Sequence, residues 1–174
     1  NYMNFIDLFA GCGGLSEGFL DKGFKPIFIA DIDKDAMLTS ANRLKDLKFK
    51  GEDISKICHT LDLNVKEVPK QFKEIKFPKI DVLLAGIPCQ AFSTVGRAQD
   101  KFSMKFDERN YLYKSLLMYV NFFKPNVVLI ENVSGLFTAK PKDNYIISEI
   151  FDELENLGYD VHRNRKDILL NSAE

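Results

Sequence analysis

The chain has 174 residues, 45% of them hydrophobic, which is enough for one domain with a substantial core and too little for two comfortable ones. Lysine and arginine total 24 against 25 acidic residues, so no overall positive field marks a nucleic-acid partner, and only a local patch could serve one. Cys12, Cys58 and Cys89 lack CxxC spacing, and His59 and His162 complete no metal-ligand pattern, which points to a reduced, cytoplasmic protein without a metal site. No run approaches the roughly 20 apolar residues of a membrane span, and NYMNFIDLF lacks the build of a secretory signal.

In chain order, short apolar runs alternate with longer amphipathic segments. NFIDLF precedes LSEGFLDKG, PIFIA precedes DKDAMLTSANRLKDL, IDVLLAG precedes YLYKSLLMYVNFF, and NVVLIENV precedes YIISEIFDELENLG. This rhythm predicts an α/β domain with a mostly parallel sheet and helices on both faces. VLLA and VVLI carry no polar alternation, as strands covered on both faces should. Gly23 and Gly158 fall where helices should stop. Residues 45–79 are lysine-rich and weakly periodic, so a peripheral crossover is expected there, with LDLNVKEVPKQF a short helix cut by Pro69. Residues 91–110 read as a long loop, of the kind that is more often functional than idle. The closing YDVHRNRKDILLNSAE reads as a strand running into a loop.

DLFAGCGGLSEGF places Gly11, Gly13 and Gly14 between a strand and a helix, where bare backbone lets a ligand approach the helix N-terminus. The dinucleotide fingerprint GxGxxG fails here, because its last glycine would stand at Ser16. Asp31 follows the second apolar strand about twenty residues on, where a carboxylate can accept both hydroxyls of a ribose. Asp53 is a second acceptor, suited to an adenine amino group. The alternative reading of both aspartates is as N-caps of the helices that follow them. Ile32 and Ile54 succeed the two acids and can either sandwich a flat base or pack in the core.

In an open parallel sheet, ligands bind beyond the carboxyl ends of the strands. Cys89 follows IDVLLAG and Glu131 closes the strand in NVVLIENV, so both should project from the edge that carries the glycine loop and Asp31. Neither histidine is placed to serve a cysteine hydrolase. A thiolate beside a proton-donating carboxyl instead suits addition to an electron-poor ring, with the carboxyl protonating a ring nitrogen. Pro88 fixes its own backbone angle and biases Ile87 towards an extended shape, which limits where Cys89 can point. The competing reading of Cys89 is a passive buried thiol.

Taken together, DLFAGCGG, the acids at Asp31 and Asp53, GIPCQAFS and ENV resemble the motifs of cytosine-5 DNA methyltransferases of bacterial restriction-modification systems, in type and in order. The resemblance covers essentially the whole chain, and PCQ with a downstream ENV is its most specific part. It implies a Rossmann-like S-adenosylmethionine-dependent methyltransferase fold, and methyl transfer to carbon 5 of a flipped-out cytosine in double-stranded DNA. Cys89 would be the nucleophile at carbon 6 and Glu131 the assisting carboxyl. Phe9, Gly11, Cys12, Gly14, Asp31, Ile32, Asp53, Ile54, Gly86, Pro88 and Leu112 would surround S-adenosylmethionine. Gln90, Ser93, Arg97, Asn132 and Val133 would face the DNA. A cognate restriction endonuclease is an implied companion.

Family members continue with an arginine-bearing motif and a target-recognition region. The 174 residues are accordingly expected to be one truncated cofactor-binding and catalytic domain, short of its last strand and inactive alone. Two alternatives carry different substrates or none: a tRNA cytosine methyltransferase of the same family, against which AFS after PCQ speaks, and a non-catalytic S-adenosylmethionine-binding regulatory module.

Overall fold

The computed structural model of the chain describes residues 2–47, 53–88, 112–132, 134–138 and 144–164. These fall into two compact units: the residues up to Pro88 together with Lys114–Glu131, and a second containing Leu112, Tyr113 and the residues from Asn132 onward.

The first unit holds one five-stranded sheet made of β1 (Asn4–Leu8), β2 (Lys25–Asp31), β3 (Cys58–Thr60), β4 (Val82–Gly86) and β5 (Val127–Glu131). The spatial order is β3-β2-β1-β4-β5, and every neighbouring pair is parallel. The register pairs Leu8 with Ala30 and Ala85, Asp31 with Thr60, and Gly86 with Glu131, so the carboxyl ends share one edge.

The helices are α1 (Gly14–Asp21), α2 (Lys34–Asp46), α3 (Lys70–Glu74), α4 (Leu112–Phe123) and α5 (Ile146–Asn156). On one sheet face, Phe5, Val82 and Leu84 pack against Leu15, Phe19 and Leu20 of α1, and Ile29 packs with Met37 and Leu44 of α2. The Arg43 guanidinium holds the Glu17 carboxylate through Nε at 2.9–3.0 Å and through Nη2, linking these two helices at the surface. Phe28, adjacent to Ile29 and therefore on the opposite face, begins an aromatic cluster. It contacts Phe72 and Phe77, and Phe72 in turn contacts Tyr119 and Phe123 of α4, all with ring centroids 5.0–6.1 Å apart. Helices thus cover both faces, as the alternation of runs predicts.

Gly23 and Gly158 take φ of 79° and 93° and terminate α1 and α5. In each case the next residue donates back five positions, Phe24 to Phe19 and Tyr159 to Leu154, both at 3.0 Å. In the second unit, α5 buries Ile146, Ile150 and Leu154 at a four-residue interval. There the Tyr113 hydroxyl donates to the Glu149 carboxylate, and Arg163 bonds Glu155 and Asp152 at 2.7–2.8 Å.

Four expectations change. Residues 45–79 contain an edge strand, β3, whose three residues are too few to show a period; it is held by Leu61 N–H donating to the Asp31 carbonyl and by Ile29 N–H donating to the Ile57 carbonyl. Pro69 starts α3 as its N-cap instead of cutting a helix, because a fixed φ, here −54°, suits a helix start. β5 is not covered on both faces: Val127 and Leu129 are 53% and 40% exposed, since among the described residues this strand ends the sheet. Residues 159–164 form no strand, and 165–174 lie outside the described residues, as does the expected loop at 91–110.

Phe72 is 1% exposed and touches four aromatic partners. Phe72→Ala should therefore destabilise the chain by about 3–5 kcal/mol, read as a lowered urea midpoint; a change within about 0.5 kcal/mol would contradict this packing.

Candidate functional site

The turn after β1 is built from left-handed backbone. Phe9, Gly11 and Gly13 take φ of 57°, 53° and 86°, and the chain reverses so that Gly13 N–H donates to the Ala10 carbonyl at 2.9 Å. A Cβ on Gly13 would stand 3.0 Å from Ser40 Oγ, so both its conformation and its surroundings call for glycine. Ser40, buried on α2, donates to the Gly11 carbonyl at 3.4 Å. The loop is therefore fastened to α2 as well as to the sheet, and it leaves Cys12 and Gly14 exposed at the start of α1.

Asp31, the last residue of β2, fastens it further. Its Oδ2 accepts the Gly11 N–H at 2.8 Å and its Oδ1 accepts the Asp33 N–H at 2.9 Å. A carboxylate has about four lone-pair sites, so two backbone bonds leave capacity for two further donors, one on each oxygen. The reading of Asp31 as a helix cap is corrected. Asp33 caps α2, accepting from Asp35 and Ala36 N–H at 2.8 and 3.1 Å, because only Asp33 directly precedes the first turn with extended backbone. Ile32, between the two acids, is 67% exposed and offers an uncovered apolar face beside the loop.

Asp53 behaves as the cap alternative describes. It precedes the short 3-10 helix Ile54–Lys56 and accepts from Ser55 N–H and Oγ at 3.2 and 2.6 Å. The Ser55 hydroxyl first, with help from Lys56, holds its carboxyl below the usual range. Its Oδ2 lies 3.5 Å from Lys56 Nζ. Ile54 packs against the cluster of Ile29, Met37, Leu44 and Ile57, so the core reading holds for Ile54 while Ile32 stays open.

At the far side of β1, Gly86 faces Glu131 in register across β4 and β5. A Cβ there would lie 3.2 Å from the Phe9 carbonyl oxygen and 3.9 Å from Glu131 Oε2. Glycine thus lets the glycine-loop backbone and the Glu131 carboxyl converge on one spot. Ile87 is buried and Pro88 exposed. Leu112 is buried in the first turn of α4 and, like Asn132, belongs to the second unit. Cys89, Gln90, Ser93, Arg97 and Val133 lie outside the described residues. Burial pushes the Cys58 thiol up to about 11, which removes it as a rival thiolate.

Two functional candidates escape motif reading. Asp7 is wholly buried in β1, and its Oδ2 accepts the Ser16 hydroxyl at 2.6 Å. Its Oδ1 has no partner among the described residues. Burial raises its pKa from 3.8 to about 6, the hydrogen bonds from Ser16 oppose that, and the nearby Asp31 carboxylate adds to it. The signals were present as one acid inside an apolar strand, and as the serine that breaks the glycine fingerprint. Ser16, where the fingerprint would need glycine, donates its hydroxyl to Asp7.

With this geometry in place, the class is plain. Residues 3–174 match the C-5 cytosine-specific DNA methylase family, and the chain belongs to it. It is 36% identical over 160 residues to the Type II methyltransferase M.DdeI of Desulfomicrobium norvegicum, an alignment covering 91% of this chain and 35% of that protein. With M.AgeI of Thalassovita gelatinovora it shares 33% identity over 160 residues, covering 90% and 33%. A solved structure described as a DNA modification methyltransferase encoded within an E. coli prophage superposes with a TM-score of 0.63 at 29% identity, covering 88% of this chain and 38% of that one. The chain therefore spans about a third of the length of these relatives.

The raised Asp7 pKa sets a pH dependence. The folded chain holds a proton on Asp7 that the unfolded chain releases near pH 4, so ionising Asp7 costs stability as pH rises through about 6. Against wild type, Asp7→Asn should gain stability between pH 4 and 7 by up to about 3 kcal/mol, measured by urea unfolding across that range. A stability difference that does not change with pH would contradict the assignment.

Proposed function

We propose that the protein transfers a methyl group from S-adenosylmethionine to carbon 5 of a flipped-out cytosine in duplex DNA, through a covalent adduct of Cys89 assisted by Glu131. The carrying observation is the strand edge itself: the Gly11–Asp31 link and the Gly86–Glu131 pair flank β1 at the same carboxyl end. Family membership and the Type II methyltransferases among its relatives support the reaction class, the restriction-modification setting with its endonuclease, and a bacterial cytoplasm as the location.

The residues present fit the cofactor. Asp31 retains two acceptor positions for a ribose, Ile32 offers an apolar face for a flat base, and the exposed N-terminus of α1 suits a carboxylate. Gly11, Gly14 and Phe9 line this loop, with Asp53, Cys12, Pro88 and Leu112 as further contacts. S-adenosylmethionine supplies an electrophilic methyl group carried on a sulfonium.

Carbon 5 of cytosine is a poor nucleophile while its electrons belong to an aromatic ring. The Cys89 thiolate forms a bond to carbon 6, and the electron pair displaced from the ring double bond makes carbon 5 nucleophilic towards that methyl. Glu131 keeps a proton at nitrogen 3 and so offsets the charge that addition drives into the ring. Once carbon 5 is methylated, loss of its proton re-forms the double bond and expels the thiolate. None of this can occur inside a stacked duplex, so the base must leave the helix; Gln90, Ser93, Arg97, Asn132 and Val133 are the residues we assign to the DNA around it.

Because the 174 residues are expected to be inactive alone, the test is made with the longer parent protein: incorporation of a tritiated methyl group into cytosine-containing duplex DNA and into tRNA. Label in DNA alone is expected, and label in tRNA alone would overturn the substrate. Cys89→Ser should lower transfer by at least a thousandfold while cofactor affinity stays within about threefold. Duplex DNA bearing 5-fluorocytosine, which cannot lose a carbon 5 proton, should be trapped covalently by the wild type and not by Cys89→Ser. Undiminished transfer by the variant would sink the nucleophile assignment.

A further inference from the structure

The cations of the chain are not spread evenly. Residues 66–79 hold Lys66, Lys70, Lys73, Lys76 and Lys79 against Glu67 and Glu74, a net +3 in a chain whose overall charge is −1. The packing turns this charge outward. Phe72 is buried and Phe77 half-buried, and their rings join Phe28 and Phe123 at centroid distances of 5.0–6.1 Å. With these two rings anchored on the sheet face, Lys70, Lys73 and Lys76, spaced three residues apart, stay exposed, as does Lys66 before them. Lys79 lies 3.9 Å from the Asp81 carboxylate, whereas Lys66, Lys70, Lys73 and Lys76 make no ion pair among the described residues. Phe123, against which Phe77 packs at 5.0 Å, is followed by the exposed Lys124, a further ammonium on the same stretch of surface. The other sheet face differs: on α2, Lys34, Arg43 and Lys45 are interspersed with Asp35 and Asp46, and Arg43 is taken up by Glu17.

We infer that this lysine surface is a second contact for duplex DNA, one that grips phosphates without reading sequence. The choice of DNA among polyanions rests on the substrate reading above. The free cations are all lysines, point charges on flexible stems that meet a phosphate without the forked geometry with which arginine reads guanine. The helix they flank, α3, has five residues, little more than one turn, and so offers no recognition helix to a groove. A membrane surface is a poorer fit, because Ile75 is the one exposed large apolar side chain among the described residues of this segment. Lys79 marks where the surface leads. Its carbonyl accepts from the Asn4 side chain at 2.8 Å, at the start of β1, so the segment runs towards the amino edge of the sheet, away from Gly11, Asp31 and Glu131. The stretch of duplex held here is therefore not the one being methylated, and the contact serves retention on long DNA between sites. Release of counterions from the phosphates supplies its affinity, which makes that affinity salt-dependent.

The experiment uses the longer parent protein and a fluorescent duplex of A·T pairs alone, which offers no cytosine to the carboxyl edge. Anisotropy titrations between about 50 and about 200 mM salt give the affinity and its dependence on salt. Combining Lys66→Gln, Lys70→Gln, Lys73→Gln and Lys76→Gln should flatten the slope of log affinity against log salt by about 2–4, and weaken binding at about 100 mM salt by about tenfold or more. With long cytosine-containing duplex as methyl acceptor, the same variant should raise KM about fivefold or more while kcat stays within about twofold of wild type. A control on the opposite sheet face, Lys22→Gln with Lys45→Gln, should change the slope by no more than about 0.5. A slope unchanged by the four substitutions, an unchanged KM, or a control that flattens the slope as much per charge would each overturn the inference while leaving methyl transfer to DNA standing. A parent protein that methylates tRNA alone would overturn the substrate reading, and the DNA contact with it.

Discussion

Five strands paired in parallel have all their carboxyl ends on one edge, and the first unit's candidate chemistry depends on that constraint. Because β1 lies in the middle, with β2 on one side and β4 on the other, the turn that follows it is bracketed by the ends of its neighbours. Asp31 reaches the turn from β2, and Gly86 approaches it from β4 with Glu131 one strand further out. No residue of this group is close to the others in sequence. Strand pairing alone brings them together, and hydrophobic burial on both sheet faces sustains that pairing.

The edge is held stiff by backbone donors. Asp31 commits one lone pair of each oxygen to the chain and so cannot swing away from the loop, and Ser40 restrains the Gly11 carbonyl from the helix side. This is preorganisation in a concrete sense, since a ligand hydroxyl meets an acceptor already oriented by bonds that exist without it. At Asp7 the fold instead buries a carboxyl whose Oδ1 has no partner among the described residues.

Much of this was legible in the sequence, and the gaps have physical reasons. The long runs announced strands and helices because periodicity is averaged over many residues, and GIPCQAFS and ENV announced the family. β3 was not legible, since Cys58, His59 and Thr60 show no period and are a strand only because β2 pairs with them. The exposure of Val127 and Leu129 was also hidden, because an apolar run looks the same at the edge of a sheet as in its centre. In Asp31-Ile32-Asp33 the sequence offers two possible caps two residues apart, and only the backbone angles at Asp33 decide between them. Ser16 registered as the glycine that a fingerprint lacks, when its role is a hydroxyl delivered to Asp7.

The central claim is that the edge formed by β2, β1 and β4 is where an adenosine-bearing methyl donor sits. Titration of isotopically labelled protein with S-adenosylhomocysteine, followed by amide nuclear magnetic resonance, tests it most directly. The account predicts saturable shifts concentrated at Gly11, Gly13, Ile32 and Gly86, with the amides of β5's exposed face and of α5 unmoved. Saturable shifts that spare Gly11 and Ile32, or a folded protein whose spectrum does not change, would contradict it.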